Sequence, residues 1–264
     1  MQDVIDPKTA LIIKGGTLFT LCFLIEHFFA YEKRWSMTLP TFISDLKFLV
    51  LNGISMRIFS LALALFTISI SENNQGMASD WPLLVQVVVG LLIFEAFNYS
   101  LHRLMHEGKG KFGKFLWRSH AAHHLSPRLY LLMHGVFHPI NAAIIQGLAI
   151  ITPIWFMGYS ENAVTIFFMV MGMHGLLTHF NVDIRIGFLN RIFVGTELHR
   201  YHHSADVNES KNYGATLSIY DQLFGTFVYH PGIPPKELGV DDSLNYPDYD
   251  NTWAVLKMPF NKQV

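Results

Sequence analysis

Leu101–Leu125 reads LHRLMHEGKGKFGKFLWRSHAAHHL, and Leu198–Ser204 returns to the same theme as LHRYHHS. Together they hold eight of the chain's 14 histidines, spaced as HxxxH, HxxHH and HxxHH. A solvated helix face uses Lys and Glu, not imidazoles at such spacings. Neutral imidazole is a ligand for Fe, Zn, Cu or Ni, so the pattern points to metal. The single cysteine, Cys22, lies in an apolar run, which excludes a disulfide framework and a Cys-rich zinc site. Any metal is therefore held by histidine or carboxylate.

On a helix, His102 and His106 lie one above the other at i,i+4, and the same face extends back to Asn98 and Glu95. A carboxylate buried in a membrane span needs a partner. Glu95 and Asn98 are thus expected to orient the ring nitrogens of ligating histidines from behind, with Glu95 paired to Arg57 or facing water in a cavity as the bland alternative. His120, His123 and His124 share one helical stripe, as do His199, His202 and His203, so each triplet can converge on a pair of ions. His179 is the expected ninth ligand; an interfacial histidine is the alternative there. His174, nearly 140° around the helix from it at about 100° per residue, is a weaker candidate. His134 and His138 are not expected to be ligands, and His138, before Pro139, suits a structural or supporting role. His27 and His230 are expected to act only locally.

The surroundings are those of a membrane protein. The 264 residues are 51% hydrophobic and 15% charged, with 22 Phe and a net charge of −1. An ordinary soluble domain has roughly 25% charged residues. Nothing in this balance favours nucleic acid. Apolar stretches at about 9–31, 46–70, 81–101, 136–157 and 163–180 approach the roughly 20 residues that a span requires. The last two read as a helical hairpin around 158–162. No basic region precedes the first, so a cleaved signal is not expected.

The 71–80 loop and the 158–162 turn contain no Lys or Arg. The stretch 102–130 carries Arg103, Lys109, Lys111, Lys114, Arg118 and Arg128. By the positive-inside rule, both histidine regions and the C-terminus face the cytoplasm. The expected architecture is an all-α integral membrane protein of four to five transmembrane helices with a cytosolic, His-rich, metal-binding cap. It divides as 1–101 spans, 102–130 the first two histidine boxes, 131–180 the hairpin and 181–264 a mostly helical cap that carries the last histidine cluster and then a loop-rich end, all in one domain. The Phe- and Met-rich spans offer an apolar lining for a tunnel, although lipid-facing packing explains them as well. No HExxH, GxGxxG, Walker or GxSxG motif is present, so no nicotinamide, flavin or ATP site of its own is expected.

The three boxes HRLMH, HAAHH and HRYHH resemble those of the fatty acid hydroxylase/sterol desaturase superfamily of integral-membrane di-iron enzymes. Trp117-Arg118-Ser119-His120, Phe137-His138-Pro139, His179-Phe180-Asn181-Val182, Asn212-Tyr213-Gly214 and the run Leu217–Thr226 extend the resemblance over about 102–231. It implies two Fe ions, O2 as co-substrate, a lipid substrate and an external cytochrome- or ferredoxin-like electron donor. Zn is expected to compete on purification. The ligands it implies are His102, His106, His120, His123, His124, His179, His199, His202 and His203. One departure is Leu198, where many members carry Gln or His, which weakens assignment to a sterol-type branch. Hydroxylation is expected over desaturation. A His-rich metal transporter or a zinc-dependent membrane hydrolase is the alternative of another class; clusters beyond span ends, rather than along a pore, argue against the transporter.

Overall fold

A computed structural model of the chain describes residues 7–70 and 76–261, with side chains described for 13–62 and 76–261. Residues 71–75 of the loop without Lys or Arg lie outside the described residues. Five long helices come first: α1 (Pro7–Phe28), α2 (Leu39–Ile70), α3 (Leu83–Glu107), α4 (Gly110–His124) and α5 (Pro139–Met157). Then come α6 (Glu161–Thr178) and the short α7 (Thr196–His202), α8 (Ile219–Leu223) and α9 (Thr252–Lys257). Among the described residues there is no strand, only two isolated bridges, Phe193 with Leu217 and Ser204 with Leu238. The all-α expectation holds.

Every expected span lies on a helix. Among the described residues, α3 and α5 are long and apolar enough to cross a membrane. The outward faces of α2 and α6 expose Val50, Ile54, Ile58 and Leu61, and Phe168, Met169 and Met173. Apolar surface on this scale needs a covering medium. The hairpin between α5 and α6 turns at Gly158, whose φ is +64°, and the Ser160 hydroxyl caps α6 by accepting from Ala163 N at 3.3 Å. Within α5, residues Ile145–Ile151 form a π-helical segment. Pro153 explains it: proline lacks the N–H that would bond residue 149 and crowds that carbonyl, so the turns before it widen.

The corner between α3 and α4 decides the site. Gly110 takes φ +70°, and a Cβ on Gly113 would stand 2.1 Å from the Gly108 carbonyl carbon. Only glycine lets the chain fold back this tightly. The corner sets α4 against α3, so that the inner faces of both helices meet. On its other side α4 joins a core of Phe48, Ala121, Ala122, Val136, Tyr249 and Met258. Buried Asp45 ties this core by accepting from Tyr130 Oη at 2.7 Å and from the Tyr249 hydroxyl.

Beyond Asn181 the cap is less helical than expected. It is mainly loop, with helices of five to seven residues. Buried carboxylates do here what helical hydrogen bonds do elsewhere. Asp221 accepts from Tyr213 N at 2.7 Å and Gly214 N at 2.8 Å. Glu95, reaching up from α3, accepts from the backbone N–H groups of Ala215, Thr216 and Leu217 at 2.6–3.0 Å. These loop donors are satisfied without regular structure.

Candidate metal centre

The fold brings the nine histidines into two adjoining groups. His102, His106, His120, His124 and His202 form one; His123, His179, His199 and His203 form the other. Within each, ligand nitrogens lie within 4.8 Å of one another. Helical geometry explains the division. Each HxxHH gives its i,i+4 pair to one group and its i+3 ring to the other. His120 and His124 of α4 go to the five-membered group and His123 to the four-membered one. In the α7 box the roles are reversed: His199 and His203 go to the four, His202 to the five. The i,i+4 pair of α3 completes the five. His179, immediately after α6, completes the four.

The backs of the rings fix which nitrogen carries the proton. His102 Nδ1 donates to the Tyr213 carbonyl at 2.8 Å, and His202 Nδ1 to the Lys211 carbonyl at 2.8 Å. His123 Nδ1 donates to the Val136 carbonyl at 2.8 Å, and His179 Nδ1 to that of Gly175 at 3.0 Å. A carbonyl only accepts, so the proton of each neutral ring sits on Nδ1 and the Nε2 lone pair points inward. Burial keeps the rings neutral. It pushes His123 down to about 3. Burial, then neighbouring imidazoles, hold His120, His124, His199 and His203 well below the ordinary imidazole value.

For His123 and His179 this arrangement excludes a hydrogen bond between the two rings. His123 Nε2 and His179 Nε2 are 3.2 Å apart with a lone pair on each. Two buried lone pairs facing at that distance repel unless a cation lies between them. Spacings of 2.9–3.1 Å recur for His102 with His120, His120 with His124, His179 with His199 and His199 with His203. Two imidazole nitrogens each about 2.0–2.1 Å from one ion, at right angles around it, stand about 3 Å apart. The buried His106 Nε2 and His202 Nε2 have no hydrogen-bond partner. The residues present therefore fit two cations with all-imidazole ligation.

Two cavities reach this centre. One, of about 120 Å³, lies between α3, α5 and α6, with Phe137, Ile145, Met171 and Thr216 in its wall beside His123 and His179. The other, of about 300 Å³, opens on the cap side against His106 and is lined by Glu107, Lys211, Trp117 and Tyr246. The first is apolar; the second is mixed, with Glu107 and Lys211 beside aromatic and aliphatic side chains.

The remaining expectations divide. Glu95 does not pair with Arg57, and its carboxylate holds loop 215–217 rather than an imidazole. It is too far down α3 to reach a ring and acts through the loop whose Tyr213 carbonyl takes His102. Asn98 meets that same carbonyl at 3.5 Å, a long contact. His174 is outside both groups and bonds the Val194 carbonyl at 2.9 Å. His138 is structural: it caps α5 by accepting from Ile140 N and meets the Leu256 carbonyl at 3.1 Å. His27 lies against Phe28 and His230 against Tyr201. Sequence reasoning missed the four carbonyls behind the rings, which carry no side-chain signature; the Asn212-Tyr213-Gly214 element marked the place of one.

Comparison with known proteins follows the same residues. The fatty acid hydroxylase family matches residues 87–226. Ornithine lipid hydroxylase OlsE of Rhizobium tropici is 34% identical over 91% of this chain and 72% of its own length. Very-long-chain aldehyde decarbonylase GL1-9, from the indica and japonica subspecies of Oryza sativa, is 20% identical over 67% of this chain and 69% of its own. No solved structure matches the chain.

Proposed function

The chain belongs to the fatty acid hydroxylase family, and on that premise we propose that it is a di-iron membrane enzyme hydroxylating an unactivated lipid C–H bond with O2. The observation that carries the reading is the pair of facing lone pairs on His123 and His179, 3.2 Å apart at the inner end of an apolar cavity. A lipid C–H bond has no acidic proton, so acid–base groups do not break it. Two irons held by the five and four histidines would supply reductive activation of O2.

The chain's own groups do the rest. The Tyr213, Lys211, Val136 and Gly175 carbonyls hold the imidazoles in the ligating tautomer. Phe137, Ile145 and Met171 admit an apolar chain beside the four-histidine group and exclude water from it. The cap-side cavity, with Glu107 and Lys211, is open to water and serves proton and electron delivery. Conversion of RH and O2 to ROH and water consumes two electrons and two protons. With no nicotinamide or flavin motif in the sequence, the electrons come from an external one-electron carrier. The Lys and Arg asymmetry supports a cytoplasmic position for this cap.

The test is oxygen incorporation. The iron-loaded protein in nanodiscs, given a reductant, lipid extract and labelled O2, is expected to yield hydroxylated lipid carrying the label. Product formed under strict anoxia overturns the reading. A new double bond without label assigns the chain to desaturation instead.

A further inference from the structure

We infer that His134 is a substrate-binding residue that hydrogen-bonds a carbonyl of an acyl amide or ester, so that oxygen enters within a few bonds of that carbonyl. This rests on the lipid-hydroxylase reading. His134 sits in the wall of the apolar cavity, its ring 5.5 Å from that of His179. It belongs to neither histidine group. Among the described residues, neither of its ring nitrogens has a hydrogen-bond partner. His138 and His174 nearby do, on the Leu256 and Val194 carbonyls.

The position of this ring is held firmly. His134 lies in the 3-10 turn Leu131–Gly135. At its start, Leu131 N donates to buried Glu26 at 2.8 Å, and Tyr130 Oη to buried Asp45 at 2.7 Å. At its end, the Gly135 carbonyl accepts from Asn52 Nδ2 at 2.9 Å. The ring itself lies over Gly175 of α6, where a Cβ would stand 1.9 Å from His134 Cε1. Three buried polar side chains and a glycine thus fix an imidazole in the cavity wall, where its nitrogens have no partner among the described residues. A site built this way favours a ligand that pairs the polar group over a hydrocarbon that leaves it unpaired. Phe137, Ile145 and Met171 take the apolar remainder. Because the anchor stands beside His179, the carbon offered to the four-histidine group lies close along the chain to the anchored carbonyl. Mid-chain and terminal carbons do not meet both conditions.

The experiment separates binding from turnover. The zinc-loaded full chain in nanodiscs is titrated with radiolabelled N-methylhexadecanamide and with hexadecane, each corrected for empty nanodiscs. The wild type is expected to prefer the amide by about tenfold, one hydrogen bond's worth. His134→Leu is expected to lose that preference, and His134→Asn to restore part of it, both keeping wild-type zinc content. Equal binding of the two probes by the wild type overturns the inference, as does an unchanged preference in His134→Leu. With iron and a reductant, the amide should be oxygenated within a few bonds of its carbonyl; oxygen in mid-chain also overturns it. Failure of the oxygenase reading would look different: no O2-dependent product from the iron form, with the amide preference intact.

Discussion

The five-histidine and four-histidine groups are made by one spacing rule, yet they are braced from different parts of the molecule. In the five, the backs of His102 and His202 rest on carbonyls of the cap loop, Tyr213 and Lys211. In the four, His123 and His179 rest on Val136 and Gly175, at the ends of the membrane hairpin. The cap-side cavity meets the centre at His106 of the five, whereas the apolar cavity meets both groups, at His102 and His120 of the five and at His123, His179 and His199 of the four. The brace behind His102 and His202 therefore comes from loops of the cap. The brace behind His123 and His179 comes from the chain just before α5 and from the end of α6, although His199 and His203 of the same group stand on the cap.

The sharpest way to break the comparison is to remove one ring from each half. His202→Ala empties a position in the five-membered group and His123→Ala one in the four. Each is expected to lower lipid oxidation by more than about 100-fold, since even outer partners of metal ligands cost 10–100-fold. Each should also cut bound metal from about two ions per chain to about one while the protein stays inserted. Metal analysis beside the activity assay reads both. Full activity in either variant would contradict shared use of the two groups.

Glu95→Gln tests the bracing. The carboxylate accepts three backbone N–H bonds from loop 215–217, and glutamine offers a single acceptor oxygen in its place. The loop that positions the Tyr213 carbonyl then loosens. The expected outcome is a loss of about 10–100-fold in metal affinity confined to the five-membered group, read as one ion released early under chelator challenge. Equal release of both ions would show that Glu95 supports the whole fold and not one half.

Acid should act on both halves together. In the metal-free protein the buried rings stay neutral, His123 down to about 3, whereas the unfolded chain's imidazoles charge below about pH 6.5. Below that value the unfolded state binds more protons, so stability is full above about pH 6.5 and is lost as pH falls toward about 3. The melting temperature of the metal-free protein is expected to drop between about pH 7 and about pH 5. A flat profile would mean that the rings are not buried neutral.

The sequence reveals the histidines for a simple reason: helical spacing is local, so HxxxH and HxxHH can be read within one turn. The apolar runs are legible for the same reason, and all five coincide with helices. What stays hidden is long-range. Glu26 reaches Leu131 N and Asn181 N, and Glu95 reaches a loop some 120 residues on. A buried carboxylate announces that it needs a partner but not which one, and neither a ligating imidazole nor Arg57 is the group that Glu95 meets. The cap's loops hid for a related reason, since Asp221 and Glu95 replace the hydrogen bonds that a helix would have made. Backbone carbonyls behind the rings leave no trace in residue type at all.

The smallest expected effect completes the contrast, because Asn98 occupies the same helix face as Glu95 and was given the same role. Its Nδ2 meets the Tyr213 carbonyl only at 3.5 Å, while His102 Nδ1 takes that oxygen at 2.8 Å. A contact so long adds little to a carbonyl already engaged. Asn98→Ala is therefore expected to weaken metal retention in the five-membered group by less than about threefold, within the net worth of a weak hydrogen bond. Chelator challenge alongside Glu95→Gln measures the two on one scale. If Asn98→Ala matched Glu95→Gln, bracing would come from α3 directly onto the carbonyl, and the carboxylate's grip on the loop would be incidental. If the two stand an order of magnitude apart, the loop is the brace, and the five-membered group leans on loop 213–217 through His102, whereas His123 and His179 of the four lean on Val136 and Gly175.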